Sequence, residues 1–292
     1  MRIDLHAHSD VSDGTASPAE LVRAAARADL DVLALTDHDT TAGWDEALRA
    51  GEEVEIRVVP GIEISTRYDG VGVHLLAYLP DALDPALQAE LARIVAGRED
   101  RVPGMLARLR DLGIPATAEA LAEATGPAVA PGRPHVADLL VRLGVVADRD
   151  QAFAEYLAEG GPAFVDRYAA DLGAAIALVR AAGGVPVLAH PWGRGSRRVL
   201  GRDAIAGLAA GGLAGLEVDH LDHDPEQRRE LRGIADDLGM VVTGSSDHHG
   251  TGKVGHDLGC ETTAPAMWER IQELAGRAPA GPAETPAGEV AR

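Results

Sequence analysis

Seven short apolar runs punctuate this chain, and nearly every one ends in or carries a His, Asp or Glu. The runs are Ile3–Ser9, Asp31–His38, Val58–Thr66, Gly72–Tyr78, Val185–His190, Gly215–His220 and Met240–Ser246. Most are separated by Ala/Leu-rich stretches with helical spacing. Alternating strand and helix demands crossover connections, which make the strands parallel and the class α/β. Val58–Thr66 and Val71–Tyr78 differ: Arg67-Tyr68-Asp69-Gly70 alone divides them, so this pair reads as a hairpin inside an otherwise parallel sheet. The first helix has a clear start, with Ser17 as cap, Pro18 in the first turn and Glu20 completing a capping box. Gly183-Gly184 closes a later helix, Asp171–Ala182.

The spacing breaks between Leu79 and Val185, a gap far longer than one crossover helix needs. Helical patterns recur there at Pro85–Leu112, Thr117–Thr125, Pro134–Leu143 and Asp150–Glu159. The expectation is a helical insertion over residues 85–165, between residues 1–84 and 166–275 of the main domain. Residues 276–292, rich in Ala, Pro, Gly and Glu, read as a disordered tail. Aromatic residues are 3% of the chain, so Ala, Val, Leu and Ile must build the core. No apolar run approaches the ~20 residues that span a bilayer, and the start of the chain lacks a signal-peptide pattern. With a lone Cys260, read as a small packing residue, the expected location is cytoplasmic and no membrane partner is expected.

The polar residues at the run ends share one chemistry. His6 and His8 stand two apart on the first strand, so they face the same side. Asp13 follows in a loop, His38 ends Thr-Asp-His-Asp, and Glu63 lies in Pro-Gly-Ile-Glu. His74 sits on the second hairpin strand, His190 ends Val-Leu-Ala-His-Pro, and Asp247 and His249 end Gly-Ser-Ser-Asp-His-His. One histidine at a strand end is ordinarily a capping or packing group. Nine ligand-type residues at corresponding places form a pattern, because strand C-termini of a parallel barrel converge on one face. Imidazoles and carboxylates together suit Zn, Mn or Fe.

The ordered set Asp4–Ser9 (DLHAHS), Thr36–Asp39 (TDHD), Pro60–Glu63 (PGIE), Ala189–Pro191 (AHP) and Ser246–His249 (SDHH) resembles the PHP (polymerase and histidinol phosphatase) superfamily. The resemblance runs to about Leu274. It implies a distorted (β/α)7 barrel, with the helical insertion over its mouth, and three divalent ions (Mn2+, Zn2+ or Fe2+). One ion would take His6, His8, Glu63 and Asp247; a second Glu63, His74 and His190; a third Asp13, His38 and His249. The nucleophile would be a metal-bound hydroxide, with Asp13, His38, Glu63 and His249 nearest. Three divalent ions against three carboxylates leave about three positive charges, an anion trap in a chain of net charge −19. That overall charge disfavours long duplex nucleic acid.

Ser12–Leu21, Gly132–His135 (GRPH) and Leu216–Gln227 further resemble the subgroup of nucleoside 3′,5′-bisphosphate phosphatases and short-RNA 5′-to-3′ exonucleases. Where that subgroup carries Tyr-His-Pro, this chain has Asp219-His220-Leu221. The expected substrate is a small phosphate ester, a nucleotide or short RNA. Arg133 and His135 are the first candidates to bind its phosphate, followed by Arg194 and Arg197 beyond the His190 strand, and by His223. His248 and His256 read as supporting residues. Histidinol phosphatase, a polymerase proofreading module and a non-catalytic metal-binding protein are the competing readings.

Overall fold

The computed structural model describes residues 1–125, 132–158 and 160–276. Strands β1 (Ile3–Ala7), β2 (Val32–Leu35) and β3 (Arg57–Tyr68) are parallel neighbours, connected by α1 (Pro18–Arg27) and α2 (Trp44–Val54). The capping box is present at α1: Ser17 Oγ accepts the Glu20 N–H, and Glu20 accepts the Ser17 N–H. Such a cap stabilises a helix by about 1 kcal/mol. β3 turns back into β4 (Val71–Tyr78) as the expected antiparallel hairpin.

The chain then runs through α3 (Pro85–Asp111), α4 (Ala118–Thr125), α5 (Arg133–Arg142) and α6 (Arg149–Ala152), the last continuing into a π-helical turn, Phe153–Leu157. It returns by β5 (Ala170–Asp171), two residues paired with β3, and α7 (Leu172–Ala181). The remaining order is β6 (Val185–Ala189), α8 (Arg202–Ala210), β7 (Gly215–Asp219), α9 (Pro225–Asp237), β8 (Val241–Gly244) and α10 (Pro265–Leu274). No helix among the described residues is long and apolar enough to cross a membrane. The tail expected from residue 276 onward lies, apart from Gly276, outside the described residues.

The main sheet runs β1-β2-β3-β4-β6-β7-β8. Its two ends meet beyond the strands, where His8 N–H donates to His248 O at 2.9 Å and Ser246 N–H to Asp4 at 3.0 Å. The result is a nearly closed seven-stranded barrel, as expected. β5 left no signature in the sequence, because two residues cannot display a period.

Alternation along the strands sorts the core. On β4, Leu75 and Ala77 join the large cluster under the helices, whereas Leu76 and Tyr78 join a smaller one with Val59, Val187 and Trp268 of α10. His74 shares the parity of Leu76 and Tyr78, and Glu63 that of Val59, so period two turns both from the helices to the other face. A third cluster, with Met105, Leu109, Leu139 and Leu140, is drawn from residues 102–163, while Leu87, Leu91 and Ile94 at the start of α3 pack in the large cluster. That segment therefore carries its own core. Cys260 departs from expectation: it is exposed, in the loop before α10.

Candidate metal centre

The strands stop short of the polar residues that end the apolar runs. β1 ends at Ala7, β2 at Leu35, β6 at Ala189 and β8 at Gly244, so His8, His38, His190 and Asp247 project from the first loop residues. Three residues of these loops, Asp39, His190 and Asp247, have φ of 58°, 28° and 51°. Side chains other than glycine rarely adopt that left-handed backbone, and such strain clusters at functional sites. Gly14 serves the same crowding, since a Cβ there would lie 2.4 Å from His8 O. Seven of the nine candidates are buried; His38 and His74 are partly exposed.

His6, His8, Glu63 and Asp247 form the tightest group. His6 Nε2 and His8 Nε2 are 3.1 Å apart. They stand 3.2 and 3.1 Å from Glu63 Oε2, and 3.5 and 3.4 Å from Asp247 Oδ1. Donors about 2.0–2.2 Å from a central ion sit about 3.3–3.6 Å apart at tetrahedral corners. The spacing therefore fits one cation. Asp247 Oδ1 is buried and faces three imidazole nitrogens at 3.4–3.5 Å, at the long limit for hydrogen bonds and close to the spacing of co-ligands of one cation. His6 Nδ1–H donates to Glu217 at 3.0 Å, which turns the Nε2 lone pair into the group.

Glu63 is the hub. Besides His6 and His8, its oxygens meet His38 Nδ1 at 3.2 Å, His74 Nδ1 at 2.7 Å and His190 Nε2 at 3.1 Å. The second compact group is His38, Glu63 and His74, where the resemblance implied Glu63, His74 and His190. His190 belongs beside them: it reaches Glu63 Oε1, the oxygen that His74 also meets, from beyond β4, while His38 meets Oε2 across the β2–β3 edge. The third group is Asp13, His38 and His249, with His8 beside them. His249 Nδ1–H donates to Asp247 O at 2.9 Å, leaving Nε2 3.3 Å from Asp13. All nine expected residues thus converge on one cluster.

Burial works to protonate the three carboxyls, and the surrounding imidazoles and Lys253 outweigh it. His38, His74 and His6 hold Glu63 well below the usual range; His38 and His249 do so for Asp13; Lys253, His6 and His249 do so for Asp247. Burial opposes charge on His8, but hydrogen bonds to Asp247 and Glu63 raise it to about 9. His38 is lowered to about 3, chiefly by burial, and so presents a neutral ring.

Several supporting residues were missed in the sequence. Asp4 accepts the Ser246 and Gly259 N–H groups, and Asp37 accepts Ser9 N–H, Ser9 Oγ–H and Ser12 Oγ–H. Asp39 does the same for Ser65. These aspartates moor the ligand loops to one another. Glu217 had a legible signal: a fully buried carboxylate inside an apolar run needs a partner, and it takes His6 Nδ1–H and His190 N–H. Lys253, the chain's single lysine, sits 2.5 Å from Asp247 Oδ2. His220 Nδ1 accepts the Asp222 N–H, so its proton lies on Nε2 and is donated to the same oxygen at 3.2 Å. His220 thus holds Asp247 and presents no lone pair to a metal. His256 Nδ1 meets Ser246 O and His248 Nδ1 meets His256 O, both within the loop after β8.

The candidate phosphate contacts are more dispersed. Arg133, at the start of α5, reaches Leu157 O and lies over the rings of Phe153 and Phe164. His135 Nδ1 accepts the Gly132 N–H at the start of α5, a structural task. Arg197 pairs with Glu230 and stacks on Trp192. The Arg194 side chain lies outside the described residues. His223 departs from expectation. It is buried, its Nδ1–H donates to Val218 O, and its Nε2 accepts the Trp192 N–H, so both nitrogens are spent inside the fold. A cleft lined by His74, His190, Pro191, Gly193 and Ser196 opens beside the cluster.

The PHP domain family matches residues 4–118. The chain is 37% identical over 274 residues to a 5′-3′ exoribonuclease of Haemophilus influenzae, covering 92% of this chain and 99% of that one. It is 36% identical over 278 residues to a 3′,5′-nucleoside bisphosphate phosphatase of Chromobacterium violaceum, covering 94% and 97%. Among solved structures, a protein of Bifidobacterium adolescentis described as a metal-dependent phosphoesterase superposes with a TM-score of 0.89 at 36% identity, over 94% of this chain and 96% of the other.

Proposed function

The chain belongs to the PHP-domain family and is a metal-dependent phosphoesterase; from that premise we propose that its substrates are small nucleotides, either nucleoside 3′,5′-bisphosphates, losing the 3′-phosphate, or short 5′-phosphorylated RNA. The observation that carries this reading is Glu63, whose two oxygens face five imidazole nitrogens at 2.7–3.2 Å. One carboxylate cannot accept a proton from each of five rings, whereas it can bridge cations that the rings also bind. In this reading His6, His8, Glu63 and Asp247 hold one ion, and Glu63, His74 and His190 hold another, since His74 and His190 meet the same Glu63 oxygen, Oε1. Asp13, His38 and His249 hold a third.

Close divalent ions supply an activated water and a clamp for phosphoryl oxygens. The chain's own residues do the rest. Glu217 and the Asp247 carbonyl fix which nitrogen His6 and His249 present. Lys253 and His220 occupy Asp247 Oδ2 and leave Oδ1 for the ion. Arg133 binds a second substrate phosphate, and the α3–α6 segment limits substrate size. Mn2+, Zn2+ and Fe2+ all suit these donors, and a cytoplasmic location belongs to the same reading.

The test is phosphate release by metal-loaded protein from adenosine 3′,5′-bisphosphate and from a 5′-phosphorylated RNA trimer. The expected result is turnover of at least one, abolished by chelator. No turnover of either with any of the three metals would overturn the substrate assignment.

A further inference from the structure

Arg149 opens α6, in the segment with its own core, yet its guanidinium ends among the ligand loops. Its Nε and Nη2 donate to both oxygens of Asp138 on α5, at 2.6 and 2.7 Å. A two-point fork of this kind fixes the plane of the guanidinium. Its Nη1 donates to the carbonyl of Asp13 at 3.2 Å. The side chain is 15% exposed. On its other side lies Gly252, where a Cβ would stand 2.5 Å from Nη1 and 2.8 Å from Cζ. Gly252 follows His249 by three residues. The two loops are already sewn together, since Thr15 Oγ1 accepts the Thr251 N–H at 3.0 Å and donates to His249 O at 3.4 Å. Arg149 thus occupies the seam where the Asp13 loop, the His249 loop and α5 meet.

We propose that Arg149 is a positioning residue that sets Asp13 against His249 and His38 and thereby couples the helical segment to that metal group. The inference rests on the proposed metal-binding reading. Arg149 does not face the donors with a lone pair, so it acts through the Asp13 main chain. A side chain at position 252 would meet the guanidinium and have to push it aside.

Charge and geometry predict opposite signs here. Removing a guanidinium beside a cation site removes repulsion, which by itself tightens metal binding. Removing a support for a ligand weakens metal binding, by about 10–100-fold for groups of this kind. Arg149→Met and Gly252→Ala attack the contact from its two sides, the second without changing charge. Metal equivalents per chain and their affinities, measured by competition with a chromophoric chelator using Mn2+ or Zn2+, report the outcome without any substrate.

The expected result is that both variants bind one equivalent about 10–100-fold more weakly and the others as before. Arg142→Met, at a surface arginine of the same segment paired with Glu123, should match the unaltered chain. In a His249→Ala chain, Arg149→Met should add no further loss. If Arg149→Met fails to fold, as judged by circular dichroism, Gly252→Ala carries the test. Unchanged or tightened binding in both variants, or equal weakening of every equivalent, overturns the proposal. Thermal destabilisation with full metal retention overturns it too, by reducing Arg149 to a structural tie. An unaltered chain that binds no metal refutes the underlying reading instead.

Discussion

At the residue scale, the cluster is a competition between protons and cations for the same lone pairs. Glu63 serves two groups and His74 one, so Glu63→Gln should lose more metal than His74→Ala. Metal content and turnover of the two variants decide this, and equal full retention in both would end the bridging role. His8 adds a pH dependence. In the metal-free chain burial opposes its charge, but hydrogen bonds to Asp247 and Glu63 raise its pKa to about 9. That ion pairing stabilises the fold fully below about pH 6.5, the unfolded value, and is lost as pH rises through about 9. A metal must displace the proton, so its affinity should rise with pH up to about 9 and binding at pH 7 should release protons. Calorimetry in buffers of different ionisation enthalpy measures the release; identical heats in all buffers would contradict it. Arg133 belongs to the same scale. Arg133→Ala should cost about 2–5 kcal/mol in kcat/KM on a bisphosphate and much less on a simple phosphate monoester, with metal content intact. Arg133→Lys should recover little, because an ammonium cannot copy the guanidinium fork.

At the scale of elements, the β3–β4 hairpin supplies donors to the cluster and the α3–α6 segment touches its loops. The hairpin brings Glu63 and His74 onto one face, two residues out of direct register, as Glu63 pairs with Leu76 and His74 with Ser65. The segment from Pro85 to Val165 has its own apolar cluster and touches the ligand loops through Arg149. A body of that size beside the mouth should exclude bulky substrates. The expected outcome is turnover of mononucleotides or short single strands at least tenfold faster than of long duplexes. Comparable kcat/KM on both would remove the segment from any role in selection. Its four helices were legible from Ala/Leu spacing. The π-helical turn Phe153–Leu157 and the strand β5 were not, because each depends on a neighbour rather than on a local period.

At the scale of the molecule, loops from six strands meet at one polar point. β1, β2, β3, β4, β6 and β8 each contribute a donor, directly or from the loop that follows. Ligands that bind only the folded chain stabilise it by mass action, about 2.7 kcal/mol at a hundred times Kd. Removing metal with a chelator should therefore lower Tm by several degrees, and adding Mn2+ or Zn2+ back should restore it. A Tm indifferent to metal would mean that the cluster closes as well on protons alone. The net charge of −19 makes a second statement at this scale. A surface of that sign disfavours polyanions, so binding of long nucleic acid should be weak at low salt.

The sequence by itself determined the α/β class, the hairpin and the nine donors, because each is written locally. A period of two or 3.6, an Asp-Gly turn, or a His at a strand end needs no distant partner to be read. The tertiary structure decided who meets whom. His74 of β4 and His190 beyond β6 meet one Glu63 oxygen, and His38 at the β2–β3 edge meets the other. His223 turned inward and Cys260 outward. Asp4, Asp37 and Asp39 stood inside the recognised motifs, yet their mooring role became visible only when strands far apart in sequence lay side by side. Arg149 is the extreme case, lying 136 residues from the carbonyl it supports. A side-chain contact has no period and leaves no mark on its neighbours in the chain, so no local pattern announces it; the closure of the barrel alone brings its two ends together.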